Sequence, residues 1–271
     1  MNKLVRKKVK VFLFMGQSNE DGSTNSTPHS AEYLGYLNSF IFFKPDNTAT
    51  NNGEFNSYKW GVNNNTQGLP FYVCPQTSFG KYMYDQTGET VMMIKYSKGG
   101  SCLVDRGSAY ASGNWEINAN PANGTKHYDV AVNNFFIPAI QLLKKRQIDF
   151  EIVGAFWCQG ESDSIFEDLA NNYQSKLIEL FDKLIEDLTP YNVLAQNFKP
   201  IITRIHNNFT PGTRPYLNTV RTALVNVANH YNSFWVNSDS YPVIADNTHW
   251  NNIGQEQHGI DRANIILNHF L

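Results

Sequence analysis

Val9-Lys10-Val11-Phe12-Leu13-Phe14-Met15-Gly16-Gln17-Ser18-Asn19 is an apolar run that stops at a glycine and is followed, two residues on, by a serine. A central strand of a parallel sheet is covered on both faces, so it reads as a nearly continuous apolar run and not as an alternation. Gly16 permits a sharp turn at the strand's carboxyl end, the edge where open α/β sheets hold their ligands, and Ser18 is delivered there. A lone Gly-x-Ser-Asn is more often a turn or a helix cap. Its meaning depends on what other strands bring to the same edge.

Working outward, the 271 residues fit one large α/β domain, spanning 1–271, with loop insertions at about 22–75 and 102–126. A net charge of −2 leaves no electrostatic footprint for nucleic acid or an anionic membrane. The basic cluster Lys3 to Lys10 runs straight into the first strand, without the apolar length or small-residue cleavage pattern of a signal peptide. Cys74, Cys102 and Cys158 make no metal-type pair and no disulfide framework. These features fit a cytoplasmic or virion-associated protein with no cofactor and no metal site; they leave the oligomeric state open.

Gly22 to Pro75 is rich in Asn, Gly, Pro, Ser and Thr, with one strand-like run at Phe40-Ile41-Phe42-Phe43 and with Trp60, Phe71 and Tyr72 read as covering the core. A helix follows at Thr77 to Gln86, closed by Gly88, then a strand at Thr90 to Tyr96 that runs into Lys98-Gly99-Gly100-Ser101. Tyr128 to Arg146 has a helical period with Pro138 as a kink. Phe150 to Cys158 is the third strand and runs into Gln159-Gly160-Glu161-Ser162-Asp163; Glu167 to Leu188 is an amphipathic helix. Strands at Pro200 to Ile205 and Phe234 to Val236, and helices at Tyr216 to His230 and Asn252 to Phe270, complete the alternation. The expectation is a three-layer α/β/α sandwich around a central, mainly parallel five-stranded sheet.

In a parallel sheet the polar, glycine-bearing strand ends share one edge. Ser18 acts as a nucleophile only if a base takes its proton, and His249 is the late candidate, with Asp246 three residues before it and able to share its side of a turn. Backbone amides of Ser18 and Gly99, with the side-chain amide of Gln159, are candidate donors to an oxyanion. His29, His127, His206, His230, His258 and His269 have no comparable neighbourhood. Arg106, Tyr110, Trp115 and Trp250 are open to two readings, a sugar-stacking rim or loop packing.

Gly16-Gln17-Ser18-Asn19, Gly99-Gly100-Ser101, Trp157-Cys158-Gln159-Gly160-Glu161-Ser162-Asp163 and Asp246-Asn247-Thr248-His249 resemble the four sequence blocks of the SGNH (GDSL-like) hydrolase superfamily. The closer resemblance is to its branch of sialate O-acetylesterases and carbohydrate esterase family six acetylxylan esterases. It spans the whole chain and implies a flavodoxin-like SGNH fold. It also implies Ser18 as nucleophile, His249 as base and then acid, Asp246 as its orienting partner, and an oxyanion hole from Ser18, Gly99 and Gln159, with Gly100 as the fallback glycine. Gly16, Gln17, Asn19 and Glu161 would support these residues. Glu161 and Asp163 either brace their loop or replace Asp246. Glu20 departs from the family's usual Met and would bear on the leaving-group site if it faced it. The expected function is a serine esterase removing acetyl groups from an acetylated oligo- or polysaccharide of acetylxylan or sialic acid type, with no nucleic acid or membrane partner. The alternative is a carbohydrate-binding or phage tail-associated module that keeps the fold without turnover.

Overall fold

The computed structural model describes residues 7–22, 24–25, 28, 30–34, 36–43, 53–59, 72–107 and 112–271. The apolar run forms β1 (Val9–Gly16), whose side chains from Val11 to Met15 are all fully buried. Val11, Leu13 and Met15 pack on one side of the sheet, and Phe12 and Phe14 on the other. Burial on both faces is why the strand shows no polar alternation.

Around β1 lie β3 (Tyr36–Phe43), β4 (Glu54–Lys59), β6 (Val91–Ser97), β7 (Phe150–Cys158), β8 (Leu194–Arg204) and β9 (Trp235–Asn237), in the order β4-β3-β6-β1-β7-β8-β9. All neighbours pair in parallel except the edge pair β3 and β4. The sheet therefore has seven strands and not five. β3 extends the Phe40–Phe43 run, and β4 was hidden in the polar insertion. There only Phe55 and Tyr58 face inward, while Glu54 and Asn56 are exposed, the half-polar pattern of an edge strand. Two short strands, β2 (Thr24–Asn25) and β5 (Tyr72–Val73), pair separately.

One face carries α2 (Pro75–Thr87) and α7 (Asn252–His269); the other carries α3 (His127–Val130), α4 (Ile137–Lys145), α5 (Glu167–Leu188) and α6 (Leu217–His230). The expected kink at Pro138 takes the form of a π-helical turn, Ala131–Phe136, with Pro138 in the first turn of α4. Proline has no N–H to donate four residues back, and a widened turn absorbs the break. Among the described residues no helix is long and apolar enough to cross a membrane. The three cysteines are buried thiols.

Register places the site. Gly16 stands opposite both Ser97 and Cys158, so β1, β6 and β7 end at one level. The Gly16 carbonyl accepts from Lys98 N–H and the Gln17 N–H donates to the Cys158 carbonyl, each at 3.0 Å. A Cβ on Gly16 would come within 2.1 Å of the Cys158 carbonyl oxygen, so no side chain fits at this close approach.

Candidate active site

Directly after Gly16 the chain makes a four-residue helical turn, α1 (Ser18–Asp21). Ser18, only 8% exposed, opens it. Its Oγ lies 2.8 Å from His249 Nε2, and His249 Nδ1 lies 2.5 Å from Asp246 Oδ2. With Nδ1–H donated to the carboxylate, Nε2 is left to accept the serine proton. The histidine side is a surface turn. Asp246 Oδ1 accepts the N–H groups of Thr248 at 2.8 Å and His249 at 3.0 Å, which locks the i, i+3 arrangement. Burial raises the Asp246 pKa, but these N–H bonds and the imidazole outweigh it and hold the carboxyl below its usual range. Asp246, and neither Glu161 nor Asp163, is the carboxylate on the ring.

Asn19 ties the two sides together. Its Nδ2 donates to Thr248 O at 3.1 Å and to Glu161 Oε1 at 2.8 Å, while its Oδ1 accepts from Trp250 N–H at 3.1 Å. One side chain beside the serine thus grips the backbone on both flanks of His249. Gln17 Oε1 accepts from Gln159 Nε2 at 3.1 Å and, at 3.4 Å each, from the N–H groups of Gly160 and Ser162, which joins the first and third blocks.

The expected oxyanion donors are arranged differently. The Gly99 N–H donates to Asp21 Oδ2 at 3.1 Å, and Asp21 Oδ1 also accepts from Ser97 Oγ at 2.5 Å. The Gln159 amide meets Gln17 Oε1, Ser101 O at 3.1 Å and Asp163 Oδ2 at 2.5 Å, and its oxygen accepts from Tyr173 at 2.8 Å. Both groups are thereby built into the framework, because a buried amide takes the nearest fixed acceptors. The N–H groups of Ser18 and Gly100 have no acceptor among the described residues. Gly100 sits at φ +73° in the turn that closes Ser101 N–H onto Lys98 O, a conformation that favours glycine.

Asp163 accepts from the Leu103 and Val104 N–H groups at 2.9 to 3.1 Å, so it braces the loop after the glycines. Burial lifts its pKa to about 6 against those bonds. Glu20 does not face a leaving group. It is fully buried and pairs with Arg262 of α7 at 3.0 and 2.7 Å, with Gln76 of α2 donating to the same carboxylate. Trp115 and Trp250 are also fully buried, so they pack the interior and form no rim. The Arg106 guanidinium stacks on the Phe166 ring. Trp60, Phe71 and Tyr110 lie outside the described residues, as does the side chain of Tyr72.

Sequence reasoning missed His206. It lies two residues past β8, fully buried, with Nε2 donating to Thr248 O at 3.0 Å and Nδ1 accepting from Asn208 N–H at 3.1 Å. Only its place after a strand that ends at this edge could have signalled it.

A family model described as carbohydrate esterase, sialic acid-specific acetylesterase, matches residues 8–268. Among solved structures the chain is similar to a protein from Arabidopsis thaliana (18% identity, 98% of this chain and 100% of that chain, TM-score 0.70). It is also similar to NanS (12%, 98% of each chain, TM-score 0.68). A third is a carbohydrate acetylesterase from Xanthomonas citri (14%, 96% of this chain and 56% of that chain, TM-score 0.65). At such identities the likeness concerns the fold. No curated protein matches the chain.

Proposed function

The chain belongs to the carbohydrate esterase family of sialic acid-specific acetylesterases, and on that premise we propose that it cleaves O-acetyl esters of a carbohydrate through an acetyl-enzyme at Ser18. The observation that carries this reading is the line Asp246 Oδ2, His249 Nδ1, His249 Nε2, Ser18 Oγ, with spacings of 2.5 and 2.8 Å. His249 takes the hydroxyl proton as Ser18 Oγ bonds to the ester carbon. The carbonyl oxygen becomes an oxyanion, met by the N–H groups of Ser18 and Gly100. As the tetrahedral carbon collapses, the bond to the sugar oxygen breaks and His249 returns the proton to it. Water then repeats the sequence and releases acetate and free Ser18. Asp246 keeps the imidazole in the required tautomer and stabilises the imidazolium. The sugar is of acetylxylan or sialic acid type.

Acetate release from p-nitrophenyl acetate, acetylated xylan and O-acetylated sialic acid tests the reading. The wild type should turn over at least the aryl ester, Ser18→Ala and His249→Ala should lose that turnover, and the preferred polymer or sugar identifies the substrate. A well-folded wild type inert toward all three would favour a binding module in its place.

A further inference from the structure

His206 has no place in the proton relay, yet it is one of two side chains that donate to the carbonyl of the peptide bond entering His249. The Thr248 carbonyl accepts from His206 Nε2 at 3.0 Å and from Asn19 Nδ2 at 3.1 Å, which fills both of its lone pairs. The peptide between Thr248 and His249 is planar, so fixing its oxygen fixes the nitrogen and Cα of His249 as well. The two donors come from different places. Asn19 adjoins Ser18 on α1, whereas His206 follows the carboxyl end of β8 and is anchored below by its stack on Phe209 (ring centroids 4.2 Å apart). Asn19 alone would let the histidine turn move with α1; the second donor references it to the sheet.

The hydrogen bonds also settle the tautomer of His206. Nδ1 accepts the Asn208 N–H at 3.1 Å, so the single proton of a neutral ring sits on Nε2, where the Thr248 carbonyl needs it. The ring is buried, which disfavours the doubly protonated form and keeps this arrangement.

We propose that His206 is a positioning residue that, through the Thr248 carbonyl, holds His249 Nε2 at bonding distance from Ser18 Oγ. The proposal rests on the serine–histidine reading above. The competing role is purely structural, with Nδ1 and Asn208 simply shaping the loop after β8.

Two amides separate these roles. His206→Gln places an N–H donor where Nε2 stood and gives up the acceptor at Nδ1; His206→Asn keeps the acceptor for Asn208 but is too short to reach Thr248. His206→Gln should keep kcat on p-nitrophenyl acetate within about threefold of wild type, the scale of one neutral hydrogen bond. His206→Asn should lower kcat by about tenfold to a hundredfold, as small misplacements of reacting groups do, with KM nearly unchanged. Phosphonylation of Ser18 by a serine-directed phosphonate should slow in parallel. Equal losses in the two variants, no loss in either, or a greater loss in His206→Gln would overturn the proposal. If melting shows that His206→Asn does not fold, Asn19→Ala removes the other donor with His206 intact; a selective fall in kcat supports the clamp and an unchanged kcat overturns it. Ser18→Ala, assayed alongside, keeps the outcomes apart. Turnover that survives in it, or an inert wild type, defeats the esterase reading itself, whereas its loss together with indistinguishable Gln and Asn variants defeats only the role of His206.

Discussion

Ser18 and His249 meet at 2.8 Å, but they are held there by different means. The serine opens a turn whose next three side chains are buried and committed to distant elements: Asn19 to the Glu161 and Thr248 loops, Glu20 to Arg262 and Gln76, Asp21 to Ser97 and Gly99. The histidine sits on a surface turn, with the side chains of His249 and Asp246 25% and 42% exposed, tied mainly by the two N–H bonds that Asp246 takes from its own neighbours. The serine side is thus part of the fold's interior, and the histidine side is a local turn clipped onto it by Asn19 and His206. Damage to the buried anchor beneath the first, Glu20 with Arg262, should appear chiefly as lost stability, and damage to the second as lost rate.

The widest separation is expected at Asp246. Asp246→Asn retains an oxygen for the Thr248 and His249 N–H groups but replaces the acceptor of Nδ1–H, so on the proposed mechanism kcat should fall by about 10⁴, the loss seen for this change in serine triads. Its melting temperature should stay within about 2 °C of wild type, as for surface changes that bury nothing. A large drop in melting temperature would break the contrast.

The converse holds at Glu20. Glu20→Gln leaves the Arg262 guanidinium buried without its counter-charge, which should destabilise the fold by about 3–5 kcal/mol in urea unfolding. Glu20→Met combined with Arg262→Met removes both charges and should recover most of that loss, since buried pairs are often replaceable by apolar groups. If the double variant is no more stable than the single one, the ion pair is not what fastens this turn.

A smaller effect tests the loop after the glycines, where two buried groups titrate with opposite sign. Burial is the main cause that drives the His127 pKa down from 6.5 to about 4, and it also raises Asp163 from 3.8 to about 6. Between pH 6.5 and 4 the unfolded histidine binds a proton that the folded one refuses, so its contribution is full above 6.5 and lost as pH falls. The folded carboxyl holds a proton that the unfolded one has released, so Asp163 destabilises the fold as pH rises from about 4 to 6. Each spans roughly 3 kcal/mol at 1.36 kcal/mol per unit, and the two largely offset. Unfolding of the wild type should therefore vary little with pH on their account. His127→Gln should expose the Asp163 slope, with stability falling as pH rises; a rising or flat profile in that variant would contradict the assignment.

The sequence showed what depends on local pattern. The buried run of β1 and the amphipathic period of α5 were readable, with α5 at its observed bounds, and so was the three-residue step from Asp246 to His249. What depends on distant partners was not readable. β4 escaped because only its pairing with β3 makes a strand of an Asn-bearing segment. Gly99 and Gln159 looked like free donors, but Asp21 and Gln17, contributed by other parts of the chain, accept from them. Trp115 and Trp250 stayed open between a rim and loop packing because an aromatic residue in a polar loop gives no sign of which way it turns. His206 carries no motif at all; its role comes from sharing the Thr248 carbonyl with a residue 187 positions earlier in the chain, Asn19.

The most direct measurement is peptide mapping by mass spectrometry after reaction with a serine-directed phosphonate, in the wild type and in His249→Ala. The proposed chemistry predicts a single stoichiometric adduct on Ser18 that forms far more slowly without His249. A folded protein that hydrolyses p-nitrophenyl acetate yet carries no adduct on Ser18, or is labelled equally fast in His249→Ala, would contradict it.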